Sequence, residues 1–195
     1  MEIVLATGNM HKKKELEQIF SGHKILIPSD LGVDFDCDET GTTFMENALL
    51  KAETLYELVK RPVLADDSGL CVQALNGAPG IYSARYGSQG GVNLSDSDRN
   101  KLLLNNIEGA ADRSAFFVCA MVLKTGPYKV YSVQESFDGS IAPSPFGGGG
   151  FGYDPVFIDA LSGKTAAELS EEEKNRVSHR GKAGKIMKSV LEALS

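Results

Sequence analysis

The sequence predicts an α/β fold on a mixed β-sheet, and three patterns support this prediction. Short apolar runs alternate with helical patterns along residues 3 to 65, which is the order of βαβ units. A long hairpin in residues 114 to 134 extends the sheet beyond that order. The last helical pattern repeats apolar residues at helical spacing and is therefore expected to pack as core.

Each element of the first third has its own signal. Leu16, Ile19 and Phe20 form the apolar face of one helix, and Thr43 with Glu46 matches the capping box that opens the next. In order, the predicted elements are strand Ile3 to Ala6, helix Lys13 to Phe20, strand Ile25 to Ile27, a helix that ends near Val59 and strand Val63 to Ala65.

The remaining elements follow in the same way. Ser114 to Leu123 is almost continuously apolar, which is typical of a central strand covered on both faces. Tyr128 to Gln134 can pair with it across the turn at Thr125 to Pro127. A helix from Asp98 to Ile107, a strand from Val156 to Ile158 and helices after Ser170 complete the prediction.

Size and composition limit the classes of protein. A chain of 195 residues fits one domain, which we place at 1–195, and can bury roughly 70% of its unfolded surface. The net charge of −6 argues against coating of a nucleic acid polymer. No apolar run approaches the ~20 residues that span a bilayer. Without a signal peptide pattern at its start, the chain is expected to be cytoplasmic, with no membrane partner.

The three cysteines predict neither a disulfide framework nor a zinc site. They are Cys37, Cys71 and Cys119, an odd number without CxxC spacing. Cys119 lies inside an apolar run and is expected in the core.

The stretch Asp66-Asp67-Ser68-Gly69 is the one around which the rest is organised. It follows a buried strand, and we expect it to lie where that strand ends, at an edge or cleft. Adjacent carboxylates repel each other and cannot be buried ionised without a cation or hydrogen-bond donors. A magnesium ion would relieve the repulsion. The alternative is a solvated turn, because Asp, Ser and Gly are ordinary turn residues.

Three other segments can serve such a site. Thr7 to Lys12 lies between a strand and a helix and offers backbone N–H groups, a helix N-terminus and a lysine to an anion, although it could be a plain turn. The loop Asp34 to Gly41 has four carboxylates in six residues, which are either solvated or ligands of a cation also held by Asp67. Lys51 lies near the apolar stripe of its helix, from which it can reach a phosphate.

The glycine-rich segment Gly147 to Pro155 contains a literal GxGxxG pattern. A strand rather than a helix follows, so we reject a dinucleotide-binding fold. The glycines permit close approach of the backbone to a flat ligand, with Phe151 to stack and Asp154 to accept N–H bonds. The alternative is a flexible hairpin loop.

A basic group lies between the last two helices. It comprises Lys174, Arg176, His179, Arg180 and Lys182. The group lies at an anchored helix junction, which favours binding of a base or phosphate by His179 and Arg180.

A nucleoside triphosphate with Mg²⁺ accounts for the carboxylates, the cations and the Phe151 loop together. The carboxylates hold the metal, the lysines neutralise the phosphates and the Phe151 loop receives the base.

Motifs along the whole chain carry a family resemblance. They are Thr7-Gly8-Asn9-Met10-His11-Lys12, Glu39-Thr40-Gly41, Glu46-Asn47-Ala48, Lys51-Ala52, Asp66-Asp67-Ser68-Gly69-Leu70, Gly80-Ile81-Tyr82-Ser83-Ala84-Arg85-Tyr86, Phe151-Gly152-Tyr153-Asp154-Pro155 and Ser178-His179-Arg180. In these residues and in their order the chain resembles the inosine triphosphate pyrophosphatase family, the house-cleaning dITP/XTP pyrophosphatases.

The resemblance implies hydrolysis of ITP, dITP and XTP between the α and β phosphates to the monophosphate and pyrophosphate. It implies that Asp67 activates water and binds Mg²⁺, with Asp38 and Glu39 completing the metal shell. Which of these two touches the metal stays open. The implied triphosphate-binding residues are Thr7, Gly8, Asn9, Met10, His11, Lys12 and Lys51. The residues implied for the rest of the nucleotide are Ser68, Phe151, Gly152, Tyr153, Asp154, Lys174, His179 and Arg180.

The resemblance also implies a shape. The expected fold is an elongated mixed β-sheet with helices on its faces and two lobes around a central cleft. The expected assembly is a homodimer.

Hydrogen bonding explains how such a site could select its base. A 6-keto purine presents O6 as acceptor and N1–H as donor, and adenine reverses both. Donation from Arg180 or His179 to O6, with Asp154 accepting from N1–H, could discriminate by roughly 10⁴. Guanine shares both features, so its exclusion must rest on the 2-amino group.

Three rival functions are less consistent with the sequence. A Maf-like enzyme for pyrimidine triphosphates would not explain the Phe151 to Asp154 and Ser178 to Arg180 motifs. A nucleotide sensor gains nothing from crowded carboxylates. A phosphatase with an aspartyl-phosphate intermediate would need a DxD arrangement that Asp66-Asp67-Ser68 does not provide.

Overall fold

The computed structural model describes residues 1–88 and 90–194 and has a mixed α/β fold. The strands are β1 (Glu2–Leu5), β2 (Lys24–Leu26), β3 (Val63–Val72), β4 (Ser114–Gly126), β5 (Lys129–Ile141) and β6 (Phe157–Asp159). The α-helices are α1 (Met10–Ile19), α2 (Phe44–Val59), α3 (Asp96–Asn106), α4 (Glu171–Val177) and α5 (His179–Ala193).

The strands form one six-stranded sheet in the order β2-β1-β3-β4-β5-β6. Strand β1 runs parallel to β2 and to β3, with Val4 opposite Val63 and Leu5 opposite Leu64. Strand β6 runs antiparallel to β5. Both orientations therefore occur in one sheet, which confirms the predicted mixed sheet.

The chain divides into two compact units. Unit 1 comprises Met1–Asp67, Cys119–Glu135 and His179–Ser195, and unit 2 comprises Ser68–Val118 and Ser136–Ser178. Strands β3, β4 and β5 each contribute residues to both units. The buried residues form separate apolar clusters within each unit.

Unit 1 has apolar clusters built from β1, β3 and the helices. Leu16 and Phe20 pack in one cluster with Met187 and Leu191 of α5, as their helical spacing predicts. Helices α1 and α5 approach closely because position 184 is a glycine, where an added Cβ would lie 2.7 Å from Ile19 Cγ2. A second cluster places the apolar stripe of α2 against β1, β3 and β4.

Unit 2 has an aromatic core. The ring of Phe157 lies 4.7 Å from that of Phe117 and 5.0 Å from that of Phe137, measured between centroids, both in tilted arrangements. Leu103 of α3 and Tyr153 belong to the same cluster. The core therefore holds α3 and the segment around residue 153 in one unit.

The expected end of β3 and the expected start of α1 are corrected. Strand β3 does not end at Ala65 but continues to Val72, so Asp66 to Gly69 lie inside a strand rather than at its end. The strand can continue because both carboxylates find cationic partners in the fold, as described below. Helix α1 begins at Met10, not near Lys13, because Asn9 caps it.

The predicted capping box of α2 is confirmed. The Thr43 side chain accepts from the Glu46 amide, and Glu46 accepts from the Thr43 amide.

Helix α3 starts at Asp96, two residues before the predicted start, because Ser95 supplies its cap. Within the residues that the structure describes, no helix is both long enough and apolar enough to cross a bilayer.

Candidate active site

Strand β3 places two aspartates inside unit 1. Successive side chains of a strand point to opposite faces, so Asp66 and Asp67 meet different partners. Asp66 is 1% exposed and Asp67 is 6% exposed. Burial of two carboxylates requires compensating cations, and three elements supply them.

Asp66 is held by two cations. Its Oδ2 lies 3.0 Å from Lys12 Nζ, 3.2 Å from a terminal nitrogen of Arg180 and 3.3 Å from Arg180 Nε. Burial alone would raise the pKa of Asp66, but Lys12, Arg180 and Lys51 hold that pKa well below its usual range. Asp66 is therefore held ionised by Lys12 and Arg180 and fixes both side chains.

The guanidinium of Arg180 bridges two carboxylates. Besides Asp66 it donates to Glu15 Oε2 of α1 at 2.6 Å. Burial would lower its pKa, but the two carboxylates raise it above the ordinary value. The structure thus places Arg180 as a link between α5, α1 and β3, whereas its expected contact with a purine base stays a prediction.

Asp67 forms the second half of the cluster. Its Oδ1 accepts from Lys51 Nζ at 2.8 Å, and the same ammonium donates to Glu39 Oε1 at 3.0 Å. Burial raises the pKa of Asp67 above its ordinary value, despite the ammonium beside it. Burial would lower the pKa of Lys51, but Asp67, Asp66 and Glu39 raise it, so Lys51 is protonated.

One oxygen of Asp67 is left for a ligand. Asp67 Oδ2 is buried and has no hydrogen-bond partner among residues 1–88 and 90–194. A buried carboxylate oxygen without a donor is costly. A water molecule or a metal ion would satisfy it.

The donor set fits a metal that arrives with phosphate. In the part of the chain that the structure describes, no three His, Cys, Asp or Glu side chains group closely enough to hold an ion by themselves. Asp67 and Glu39 are a pair of carboxylates around one ammonium, and Mg²⁺ is commonly held by one or two carboxylates plus substrate phosphates. Asp38 is exposed, so its role as a ligand stays a prediction.

The loop that carries Glu39 is anchored to the start of α2. The Gly41 amide donates to Asn47 Oδ1 at 2.8 Å, and the amides of Thr42 and Thr43 donate to Glu46 Oε2 at 2.7 and 3.1 Å. Three consecutive amides are therefore tied to two side chains of one helical turn. Glu39 is held where Lys51, one turn further along α2, can reach it.

The segment from Thr7 to Lys12 is shaped by its cap. Asn9 Oδ1 accepts from the amides of His11 and Lys12, and Thr7 Oγ1 accepts from the amide of Asn9. These amides are therefore engaged within the segment, and its clearest contact with the cluster is the Lys12 side chain. Gly8, Asn9, Met10 and His11 are exposed. Their expected contacts with a triphosphate stay a prediction.

Unit 2 contains a second polar group around Phe151. Lys174 Nζ donates to Asp154 Oδ2 at 2.6 Å and lies 4.9 Å from the centroid of the Phe151 ring. Asp154 Oδ2 also accepts from the Phe151 amide at 2.8 Å. The structure therefore brings together three of the residues predicted to bind the base, and Asp154 orders the other two.

Tyr153, Ser68 and His179 are also among the residues predicted to bind the nucleotide. Tyr153 is buried, and its hydroxyl donates to the carbonyl of Ser83 at 2.9 Å. This hydrogen bond ties the segment that follows Phe151 to the rest of unit 2. Ser68 follows Asp67 on β3 in unit 2 and is partly exposed. His179 is 5% exposed and begins α5 in unit 1.

A family model described as the Ham1 family matches residues 3–190. The chain belongs to this family. A Ham1 relative from Treponema denticola, named dITP/XTP pyrophosphatase, is 53% identical over 183 residues, covering 94% of each chain. The Ham1 protein of Staphylococcus aureus has a similar structure, with a TM-score of 0.88, 42% identity and full coverage of both chains. The HAM1 protein of Coxiella burnetii gives a TM-score of 0.89 at 39% identity over 99% of each chain.

Sequence reasoning missed some residues that build this Ham1 site. Glu15 was not singled out, although it lies three residues after Lys12 and hence on the same face of α1. Asn47 was noted only as part of a motif. Its position four residues before Lys51 puts both side chains on one helix face, which was an available signal.

Gly41→Ala tests the anchoring of the Glu39 loop. An added Cβ would lie 2.6 Å from Asn47 Oδ1 and 2.7 Å from Glu46 Cβ. We expect a loss of about 1–3 kcal/mol in the free energy of unfolding, because the backbone must move away from α2. Urea denaturation measures it.

Gly148→Ala is the matched control, since its Cβ would meet nothing within 4 Å. We expect that variant to stay within about 0.5 kcal/mol of the wild type. Equal effects of the two substitutions would show that the loop is not clamped.

Proposed function

We propose that this chain is a Mg²⁺-dependent nucleoside triphosphate pyrophosphatase that removes non-canonical purine nucleotides. Its substrates are ITP, dITP and XTP, and it cleaves the α–β phosphoanhydride to give the monophosphate and pyrophosphate. The observation that carries the proposal is the buried Asp67 carboxylate, with one oxygen on Lys51 and the other without a partner among the described residues. Membership of the Ham1 family, with relatives named dITP/XTP pyrophosphatase, supports it.

Asp67 has the properties of a general base for water. Burial raises its pKa, which makes the carboxylate a better proton acceptor than an exposed aspartate. Lys51 holds Oδ1 and so orients Oδ2 toward the attacking water. When bound, Mg²⁺ would be held by Asp67 and Glu39 and would stabilise charge on the phosphates.

Lysine side chains neutralise the triphosphate in this proposal. Lys12 is held by Asp66, and 16% of its side chain is accessible, so its ammonium is fixed but reachable. Lys51 lies between Glu39 and Asp67, where a phosphate bearing a metal ion can replace part of its carboxylate contacts. Fixed cations of this kind lower the barrier without reorganisation during the reaction.

The Phe151 loop receives the base. The ring offers a stacking surface, and Lys174 supplies positive charge beside it, which suits a purine with a keto oxygen at position 6. Lys174, which lies beside the Phe151 ring, is a further candidate donor to O6 besides Arg180 and His179. Adenine would present its amino group to this ammonium, which disfavours it.

A product assay separates this function from its rivals. With Mg²⁺ and a panel of ITP, XTP, GTP, ATP and dTTP, we expect pyrophosphate from ITP and XTP and little turnover of the others. Release of orthophosphate as the first product would indicate a phosphatase. A preference for dTTP would indicate a Maf-like enzyme. Binding of ITP without turnover would indicate a sensor.

The proposed assembly rests on the family resemblance. We propose a homodimer that acts in the cytoplasm. Light scattering coupled to gel filtration tests the assembly, and a monomeric mass would exclude the dimer.

Asp67→Asn removes the base and keeps the shape of the side chain. We expect turnover of ITP to fall by a factor of roughly 10²–10⁴, the range for loss of a general base, with nucleotide binding partly retained. Pyrophosphate release and calorimetric titration with ITP measure the two quantities. Equal loss of binding and turnover would mean that Asp67 is only a structural ligand.

Glu39→Gln and Asp38→Asn decide which acidic residue serves the metal. Glu39 contacts Lys51 at 3.0 Å, whereas Asp38 is exposed. We expect Glu39→Gln to raise the Mg²⁺ concentration for half-maximal activity about tenfold, as for loss of one charged ligand contact. Asp38→Asn should leave it within about twofold. The reverse ranking would assign the ligand to Asp38.

A further inference from the structure

Two side chains of α3 hold the glycine that follows Phe151. The Gly152 amide donates to Asp96 Oδ2 at 2.7 Å, and the Gly152 carbonyl accepts from Asn100 Nδ2 at 3.0 Å. Asp96 and Asn100 are four residues apart on α3, so they lie on the same helix face. All of these residues belong to unit 2.

The polarity of the two side chains matches the backbone they hold. A carboxylate only accepts hydrogen bonds, and the amide nitrogen of Asn100 only donates. Asp96 therefore fixes the peptide before Gly152, and Asn100 fixes the peptide after it. Gly152 itself has a φ of +63°, a left-handed conformation that glycine adopts readily.

Burial of the polar Asn100 side chain costs free energy unless its amide makes a hydrogen bond. The side chain is 3% exposed, and its Oδ1 has no hydrogen-bond partner within residues 1–88 and 90–194. A leucine could occupy a buried position on α3 without a polar group to satisfy. The contact with Gly152 is thus the reason the structure gives for an amide here.

Asp96 is braced from the other side. Its Oδ1 accepts from Arg99 at 3.0 Å, and Arg99 in turn donates to the carbonyl of Ala84 at 2.7 Å. One carboxylate oxygen is therefore fixed by Arg99 while the other holds Gly152. The carboxylate has little freedom to turn away from the loop.

We propose that Asp96 and Asn100 are positioning residues for the purine base. They fix both peptides around Gly152 and so hold the Phe151 ring against Lys174, which sets affinity for the base without a part in hydrolysis. The inference rests on the proposed function, in which the Phe151 loop receives the base.

The test compares ligands with and without a base. Asn100→Leu and Asp96→Ala are assayed for KM and kcat with ITP, for calorimetric affinity for inosine monophosphate and for inhibition by tripolyphosphate, which has no base. We expect KM and the dissociation constant of inosine monophosphate to rise at least about tenfold, as for a lost hydrogen bond to an ordered loop. The kcat should stay within about threefold and the tripolyphosphate inhibition constant within about twofold.

Ser95→Ala is the matched control on the same helix. Its hydroxyl caps α3 by accepting from the Asp98 amide and donates to Asp98 Oδ2, so the variant weakens the helix without removing either hydrogen bond to Gly152. We expect a lower Tm with unchanged affinity for inosine monophosphate. The Tm of each variant shows whether a loss of affinity merely follows a loss of stability.

Three results would overturn the inference. One is unchanged affinity for inosine monophosphate in both clamp variants. Another is an equal loss of affinity for tripolyphosphate, and the third is an equal loss in Ser95→Ala. A wild type that binds inosine monophosphate but does not release pyrophosphate from ITP would refute the proposed function instead, and the monophosphate affinities would still decide the role of the clamp.

Discussion

The structure of unit 1 depends on the burial of two adjacent aspartates in the middle of a strand. Asp66 and Asp67 are almost fully buried, and carboxylates cannot be buried ionised without partners. Lys12 of α1, Lys51 of α2 and Arg180 of α5 provide them. The need to neutralise two buried carboxylates thus holds one side chain from each of three helices against the same strand.

The two aspartates have different environments and therefore suit different tasks. Asp66 is surrounded by cations that keep its pKa low, so it remains an anchor for Lys12 and Arg180. Asp67 has a raised pKa and an oxygen without a partner among the described residues, so it suits proton transfer. Two carboxyl groups whose environments drive their pKa values apart commonly take different roles in an enzyme.

Local sequence signals predicted much of the fold and of the site. The capping box of α2, the apolar face of α1 and the apolar run of β4 each specify their element by short-range patterns. Asp67 and Lys51 could be singled out because a carboxylate pair and a lysine near an apolar stripe both imply burial with a partner. The extent of β3 could not be predicted, because it depends on cations distant in sequence.

Long-range polar contacts account for the parts of the site that the sequence did not predict. Arg180 pairs with Asp66 across 114 positions of sequence, and Asn100 reaches Gly152 across 52, so no local pattern reveals either contact. Arg180 was predicted to bind the base; in the structure it pairs with Asp66 and Glu15, and its contact with a base stays a prediction. The central cleft between two lobes stays a prediction of the family resemblance.

A double-mutant cycle between Asp66 and Arg180 tests the central claim most directly. Urea denaturation of Asp66→Asn, Arg180→Met and the double variant gives the coupling free energy of the buried pair. The account predicts that the sum of the two single losses exceeds the double loss by about 2 kcal/mol or more, because each single substitution removes one of the two ionic partners of a buried charge. Losses that add within about 0.5 kcal/mol would contradict it.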